Sequence, residues 1–337
     1  MNHIRNSKQA PAGINEMKMS LKKTASLFLL LLSLLFFSCK NEHKIPRKEI
    51  DIDFYTSEHY QFVEVDEGIR MAYAELGRAG DPIILLLHGE PNSSFVYREI
   101  APLLAQQHFR VIVPDLVGFG YSDKPENPEL ISYAHQTQWL NTFIDRLALK
   151  DIRLFAHDWG GMIALRIVAN RPALFRKVAV SYSYLFEGDE KIPDSFLGFI
   201  DYAGNDPGFS PGNIMDWGSK TKLPDSIRVK YNAPFQQASD YLFARKFPSL
   251  IPTSTDDPEA IVNKNCNAQL KHFSKPFITI WGNNEDLMWK GKDSLLQALV
   301  PGAKDQTHHT LNTDHFIQED QPLELAKILT AFFKARH

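Results

Sequence analysis

The stretch FAHDWGGMIAL, residues 155–165, decides how this chain folds. It completes an apolar run, IRLF (152–155), passes through small and glycine residues, and then enters an apolar pattern with helical spacing. Extended run, tight turn and helix follow one another, with Asp158 at the apex. Such an elbow between small residues presents a nucleophile, most often a serine. An aspartate before a helix is also an ordinary N-cap, so its meaning depends on what else reaches the same place.

Working outward, short apolar runs recur at PIILLLHG (82–89), RVIVPD (110–115), KVAVSYSY (177–184) and FITIWG (277–282). Most are separated by helical patterns: SSFVYREIAPLLAQQ (93–107), YAHQTQWLNTFIDRLAL (133–149) and GMIALRIVANR (161–171). Upstream, YQFVEVD (60–66) and RMAYAELG (70–77) alternate as a hairpin-like pair of strands. Apolar strands alternating with helices predict an α/β fold, a mostly parallel sheet covered on both faces. Its chemistry belongs at the carboxyl ends of the strands. The rhythm breaks at residues 187–264, a segment rich in proline, aspartate, serine and aromatics with no core-strand pattern. It reads as a cap inserted over the strand ends, leaving 59–186 and 265–337 as core. The pattern PLELAKILTAFFKA (322–335) is expected to cover an outer face of the sheet.

A chain of 337 residues that is 44% hydrophobic can bury one large α/β domain with an insertion. Its net charge of −3 carries no basic excess, so no nucleic-acid partner is expected. Cys39 and Cys266 form neither a metal-ligand spacing nor a disulfide framework. Lys22 and Lys23 precede an apolar run from Ala25 to Phe37. That run falls short of the ~20 residues a membrane-spanning helix needs. Basic residues, a short apolar core and a small residue before the cut describe a signal peptide over 1–38, with Met17 and Met19 as alternative starts. The ending LFFSC (35–39) resembles a bacterial lipobox, which would make Cys39 the lipidated first residue of the mature protein. Residues 40–58 are polar and read as a tether. The expected location is the bacterial cell envelope, lipid-anchored to a membrane and facing the periplasm or exterior.

Four stretches converge on one edge of the expected sheet: HGEPNSS (88–94), AHDWGG (156–161), GNNEDLMW (282–289) and TDHFIQED (313–320). Singly they read as a turn, a helix cap, solvated carboxylates and a surface histidine. Together they run in the order nucleophile, acid, histidine. A carboxylate nucleophile is already ionised near neutral pH and can displace a leaving group from saturated carbon, forming an ester. A base is then needed only to hydrolyse that ester. His315 would activate the water, with an acid, Asp286 or Glu285, orienting its imidazole. The backbone N–H groups of Glu90 and Trp159 would hold the oxyanion.

With those residues in place the chain resembles the haloalkane dehalogenases, in the branch whose oxyanion loop reads HGEP. HGEPNSSFVYREIAPLL, RVIVPDLVGFGYSDKP, HDWGG and DHFIQED carry the likeness, with YNAPF and RKFPSLIP in the cap, over roughly residues 55–335. The resemblance implies an α/β-hydrolase fold and hydrolysis of a carbon–halogen bond, with a small apolar substrate, water, and no cofactor or metal. It implies Asp158 as nucleophile, His315 as base, the Trp159 indole as a halide donor, and the Glu90 side chain as a guide for water. Two departures stand out. Counting from Trp281 puts the acid at Glu285, whereas one extra residue in the turn puts it at Asp286. The register through DSFLGFIDYA (194–203) puts Phe199 where a second halide-binding tryptophan is expected, leaving Trp217 as the only cap tryptophan. An epoxide hydrolase with the same Asp/His machinery is the alternative; it would need cap tyrosines, for which Tyr202, Tyr231 and Tyr241 are available.

Overall fold

The computed structural model describes residues 59–283 and 286–335. The expected signal, the expected lipidation site Cys39, the expected tether and Glu285 lie outside the described residues. Eight strands form one sheet: β1 (Gln61–Asp66), β2 (Ile69–Leu76), β3 (Ile83–Leu87), β4 (Arg110–Pro114), β5 (Ile152–His157), β6 (Phe175–Ser181), β7 (Phe277–Gly282) and β8 (His309–Leu311). Their order is β1-β2-β4-β3-β5-β6-β7-β8, and only β2 runs antiparallel to its neighbours. Helices cover both faces, so Ile84 to Leu87 are sealed from solvent, which is why β3 reads as an unbroken apolar run. β1 and β2 form the expected hairpin around Gly68 at φ +69.

The strand order reverses between β3 and β5, because β3 leads outward to β4 on one side and the chain then returns to the other. A crevice at that switch point lies beyond the carboxyl ends of β3 and β5. His88–Glu90 follow β3, and Asp158 follows β5.

Three local expectations are revised. The pattern at 93–107 is a 3₁₀ turn, Ser94–Tyr97, followed by a helix, Ile100–Gln106. Pro102 explains the break, because it lacks an N–H and is tolerated in a helix's first turn. β8 has no signature in the sequence, because its three residues, His309 and Leu311 half-buried and Thr310 exposed, are too few to show an alternation. The cap boundary expected at 264 falls inside the helix Pro258–Leu270. That helix is fixed to the helix Asp158–Asn170 through buried Arg166, which reaches Asn263 Oδ1 at 2.8 Å and Glu259 Oε2 at 2.6 Å. Its apolar pattern misleads because Ile261 and Val262 face outward. The better signal was Asp257-Pro258-Glu259, a cap followed by proline and an acid in the first turn.

The cap itself is helical, with helices Asp194–Asn205, Pro211–Trp217, Asp225–Asn232 and Leu242–Lys246. Tyr231 in this segment meets the core: its hydroxyl bonds to Glu319 and receives a bond from Arg98 at 3.2 Å. Arg98 holds Glu319 through two bonds, at 2.5 and 2.7 Å, with both side chains buried. One charged cluster therefore joins the segment after β3, the short helix Ile317–Asp320 and the cap. Among the described residues no helix is long and apolar enough to cross a membrane.

Candidate active site

Asp158 sits at the turn between β5 and its helix with φ +53, a left-handed conformation uncommon for a residue with a side chain. Close packing of two glycines makes the turn possible. A Cβ on Gly160 would strike the His88 carbonyl, and one on Gly89 would strike the Asp158 carboxylate. The preceding loop is fixed by buried His88, whose Nε2 accepts from Leu116 N–H at 2.9 Å and whose Nδ1 donates to the Gly89 carbonyl at 2.8 Å.

Two backbone donors meet the Asp158 carboxylate: Glu90 N–H at 3.0 Å from Oδ1, and Trp159 N–H. These are the two N–H groups expected from the sequence. Burial raises the Asp158 pKa, while the facing His315 and the two N–H bonds oppose that shift. Beside it, burial and then the charge of Asp158 push the Glu90 carboxyl well above its ordinary value. Glu90 Oε1 is buried and has no hydrogen-bond partner within the protein.

His315 comes in from the loop after β8. Its Nε2 lies 3.8 Å from Asp158 Oδ2, and its Nδ1 lies 3.2 Å from Asp286 Oδ2. Of the two acids left open by the sequence, Asp286 meets the histidine; Glu285 lies outside the described residues. Burial lowers the His315 pKa, but the hydrogen bond and charge of Asp286, with the charge of Asp158, outweigh burial and leave it raised. Aromatic rings wedge the imidazole, with Tyr182 at 4.7 Å and Phe316 and His157 at 4.8 Å between centroids. The His157 Nε2–H also donates to the His315 carbonyl at 2.9 Å. Burial drives the His157 pKa well below normal, so this donor stays neutral.

Asp158 and His315 face a cavity of about 310 Å³. Its apolar wall includes Trp159, Phe199, Pro248, Met288 and Trp289. Phe199 is on the wall, as the register predicted. Trp217 also borders the cavity, but it is 62% exposed and packs against the Tyr202 ring at 5.4 Å, which puts it on the rim. The three cap tyrosines do not border the cavity. Tyr202 donates to the Gly208 carbonyl and Tyr241 to the Phe235 carbonyl, both at 3.3 Å, and Tyr231 belongs to the Arg98–Glu319 cluster. A pair of tyrosines poised to protonate an alkoxide, which the epoxide alternative requires, is therefore not assembled here.

Two residues escaped the sequence reading. Trp289 is buried in the cavity wall, 6.3 Å from the His315 ring; it sits in GNNEDLMW, where attention went to the carboxylates. Tyr182 packs on His315 from the end of β6, where nothing in KVAVSYSY distinguished it from a core aromatic. Among the described residues no group of three or more histidine, cysteine, aspartate or glutamate side chains is placed to hold a metal ion.

Comparison with known proteins agrees with this fold. The alpha/beta hydrolase fold family matches residues 82–322. A haloalkane dehalogenase of Psychrobacter cryohalolentis is 39% identical over 284 residues, covering 83% of this chain and 93% of that protein. One from Mycobacterium marinum is 36% identical over 259 residues, covering 77% of this chain and 87% of its own length. Among solved structures, the tetrameric haloalkane dehalogenase DpaA from Paraglaciecola agarilytica superposes with a TM-score of 0.76 at 25% identity, covering 82% of this chain and 93% of that one.

Proposed function

Because this chain belongs to the haloalkane dehalogenases, hydrolases built on the α/β-hydrolase fold, we propose that it cleaves small haloalkanes through an ester on Asp158. With Oδ1 held by the Glu90 N–H, Oδ2 attacks the halogen-bearing carbon in line. The new carbon–oxygen bond forms as the carbon–halogen bond breaks, and the halide leaves with the bonding pair. The Trp159 indole on the cavity wall is the principal donor to that halide. Phe199 has no N–H to add, and Trp217 stands at the rim.

In the second half-reaction His315 takes a proton from water, which attacks the Asp158 carbonyl carbon beside the Glu90 side chain. Asp286 holds the imidazolium, and the N–H groups of Glu90 and Trp159 stabilise the tetrahedral oxyanion. Collapse expels the alkoxide, which takes the proton back from the His315 imidazolium and leaves as the alcohol, and the Asp158 carboxyl gives its remaining proton to solvent to restore the carboxylate. The observation that carries this reading is the disposition around Asp158: two backbone donors on the carboxylate, with the His315–Asp286 pair facing it.

The cell-envelope reading also stands as a proposal. The apolar run 25–37, ending at Ser38-Cys39, supports lipidation at Cys39 and attachment through the tether 40–58. The test of the activity is halide release measured beside diol formation on a panel of haloalkanes and epoxides. Halide without diol is expected; diol without halide would return the reading to an epoxide hydrolase.

A further inference from the structure

The ester-hydrolysis step draws on two separate loops, one after β7 carrying Asp286 and one after β8 carrying His315. Besides the pairing of β7 with β8, in which Asn283 N–H donates to the Leu311 carbonyl at 2.9 Å and Asn283 Nδ2 to Asn312 Oδ1 at 3.3 Å, one buried hydroxyl is bonded to both segments. Tyr182, the residue following β6, is fully buried and adopts φ +45. Its hydroxyl accepts the N–H of Gly282, the last residue of β7, at 3.0 Å. The same hydroxyl donates to the carbonyl of Asp314, the residue before His315, at 3.1 Å. The ring stacks on Trp281 with centroids 5.3 Å apart and lies 4.7 Å from the His315 ring. Gly282 fits this arrangement closely, since a Cβ there would run into the hydroxyl and into the Thr313 carbonyl and side chain.

We propose that Tyr182 is a positioning residue that holds the base and its acid in one frame. It does not border the cavity, and it acts through the backbones of Gly282 and Asp314. The His315–Asp286 bond, at 3.2 Å, is at the long end of the normal range, so a small shift of either loop would break it. His157 fixes the His315 carbonyl from β5 but makes no link to β7. Asn283 links the loops at Leu311 and Asn312, and Tyr182 adds a link at Asp314, the residue next to His315. The inference rests on the proposed roles of Asp158 and His315, and it has a directional consequence. Attack by Asp158 needs no base, so loss of the hydroxyl should spare the first step and slow the second.

The experiment is rapid-quench kinetics of Tyr182→Phe with a bromoalkane; this substitution keeps the core-filling ring. The rate of the halide burst should stay within about twofold, while ester hydrolysis falls on the order of tenfold or more, as expected for a misplaced base. Ester should then accumulate on Asp158 during turnover. Gly282→Ala, which crowds the hydroxyl and the Thr313 carbonyl together, should give the same step-selective loss; if Tyr182→Phe fails to fold, the inference is tested by Gly282→Ala with and without Tyr182→Phe, the double variant being expected to lose no more than the single. Unchanged hydrolysis, or an equal fall in both steps, would overturn the inference. His315→Gln run alongside separates the two levels of the argument. No trapped ester in that variant sinks the catalytic reading; a trapped ester there, with normal Tyr182→Phe, sinks the role of Tyr182 alone.

Discussion

Replacing Arg98 with methionine should destabilise the enzyme more than any surface ion pair could. The guanidinium is 6% exposed and its partner Glu319 2%, so little water screens either charge. Arg98 makes two bonds to that carboxylate, at 2.5 and 2.7 Å, and lies 4.6 Å from the Phe95 ring centroid. Removing one member of a buried, hydrogen-bonded pair leaves the other charge uncompensated, at a cost of about 3–5 kcal/mol. An exposed pair would contribute at most about 1 kcal/mol. Methionine fills most of the volume, so the loss reports the stranded charge rather than a cavity. Adding Glu319→Gln removes that charge while keeping an acceptor for the Tyr231 hydroxyl, and should recover about 1–3 kcal/mol of coupling. The assay is urea unfolding of wild type, both single variants and the double variant, with midpoints compared at constant slope. A loss below about 1 kcal/mol for Arg98→Met, or a double variant no better than the single, would refute the claim that this cluster locks cap, core and histidine loop together.

His315 must be neutral to accept a proton, and in the ester, where Asp158 is uncharged, the bond and charge of Asp286 are what raise its pKa against burial. Ester hydrolysis should therefore fail as pH drops through the His315 pKa; Asp286→Asn should move that acid limb to lower pH while slowing the step, and an unmoved limb would remove Asp286 from the role. With Trp159 as the main indole donor, bromides and iodides should turn over far better than chlorides. Phe199→Trp should raise chloride turnover about tenfold or more, the lower end of the ~1.5–3 kcal/mol of a hydrogen bond to a charged group; loss of halide binding in Trp217→Phe would instead make the rim tryptophan the second donor. Cys39→Ser should shift the enzyme out of the membrane fraction or leave its precursor uncut, and unchanged fractionation with normal cleavage would exclude a lipid anchor.

What the sequence made legible was whatever depends on local pattern. Buried strands show as apolar runs, and the elbow shows because only small residues fit beside Asp158. The same holds for the oxyanion donors, which are backbone groups fixed by position in HGEP and HDWGG. The acid was ambiguous because it hangs on the length of one turn after β7, and a single residue decides which carboxylate meets His315. Tyr182 and Trp289 were illegible for another reason. Each is an aromatic among aromatics, and its role comes from what another loop brings near it: the His315 ring lies 4.7 Å from Tyr182 and 6.3 Å from Trp289. The cap boundary failed where apolar residues of the helix Pro258–Leu270 face solvent and its buried contacts are polar.

The central claim is that Asp158 itself becomes bonded to the substrate, and intact-protein mass spectrometry of His315→Gln after incubation with a 1-bromoalkane tests it most directly. The first step needs no base, so the mass should rise by the alkyl group less one hydrogen, and peptide mapping should put the addition on Asp158. Halide release without any adduct, or an adduct on another residue, would contradict the account.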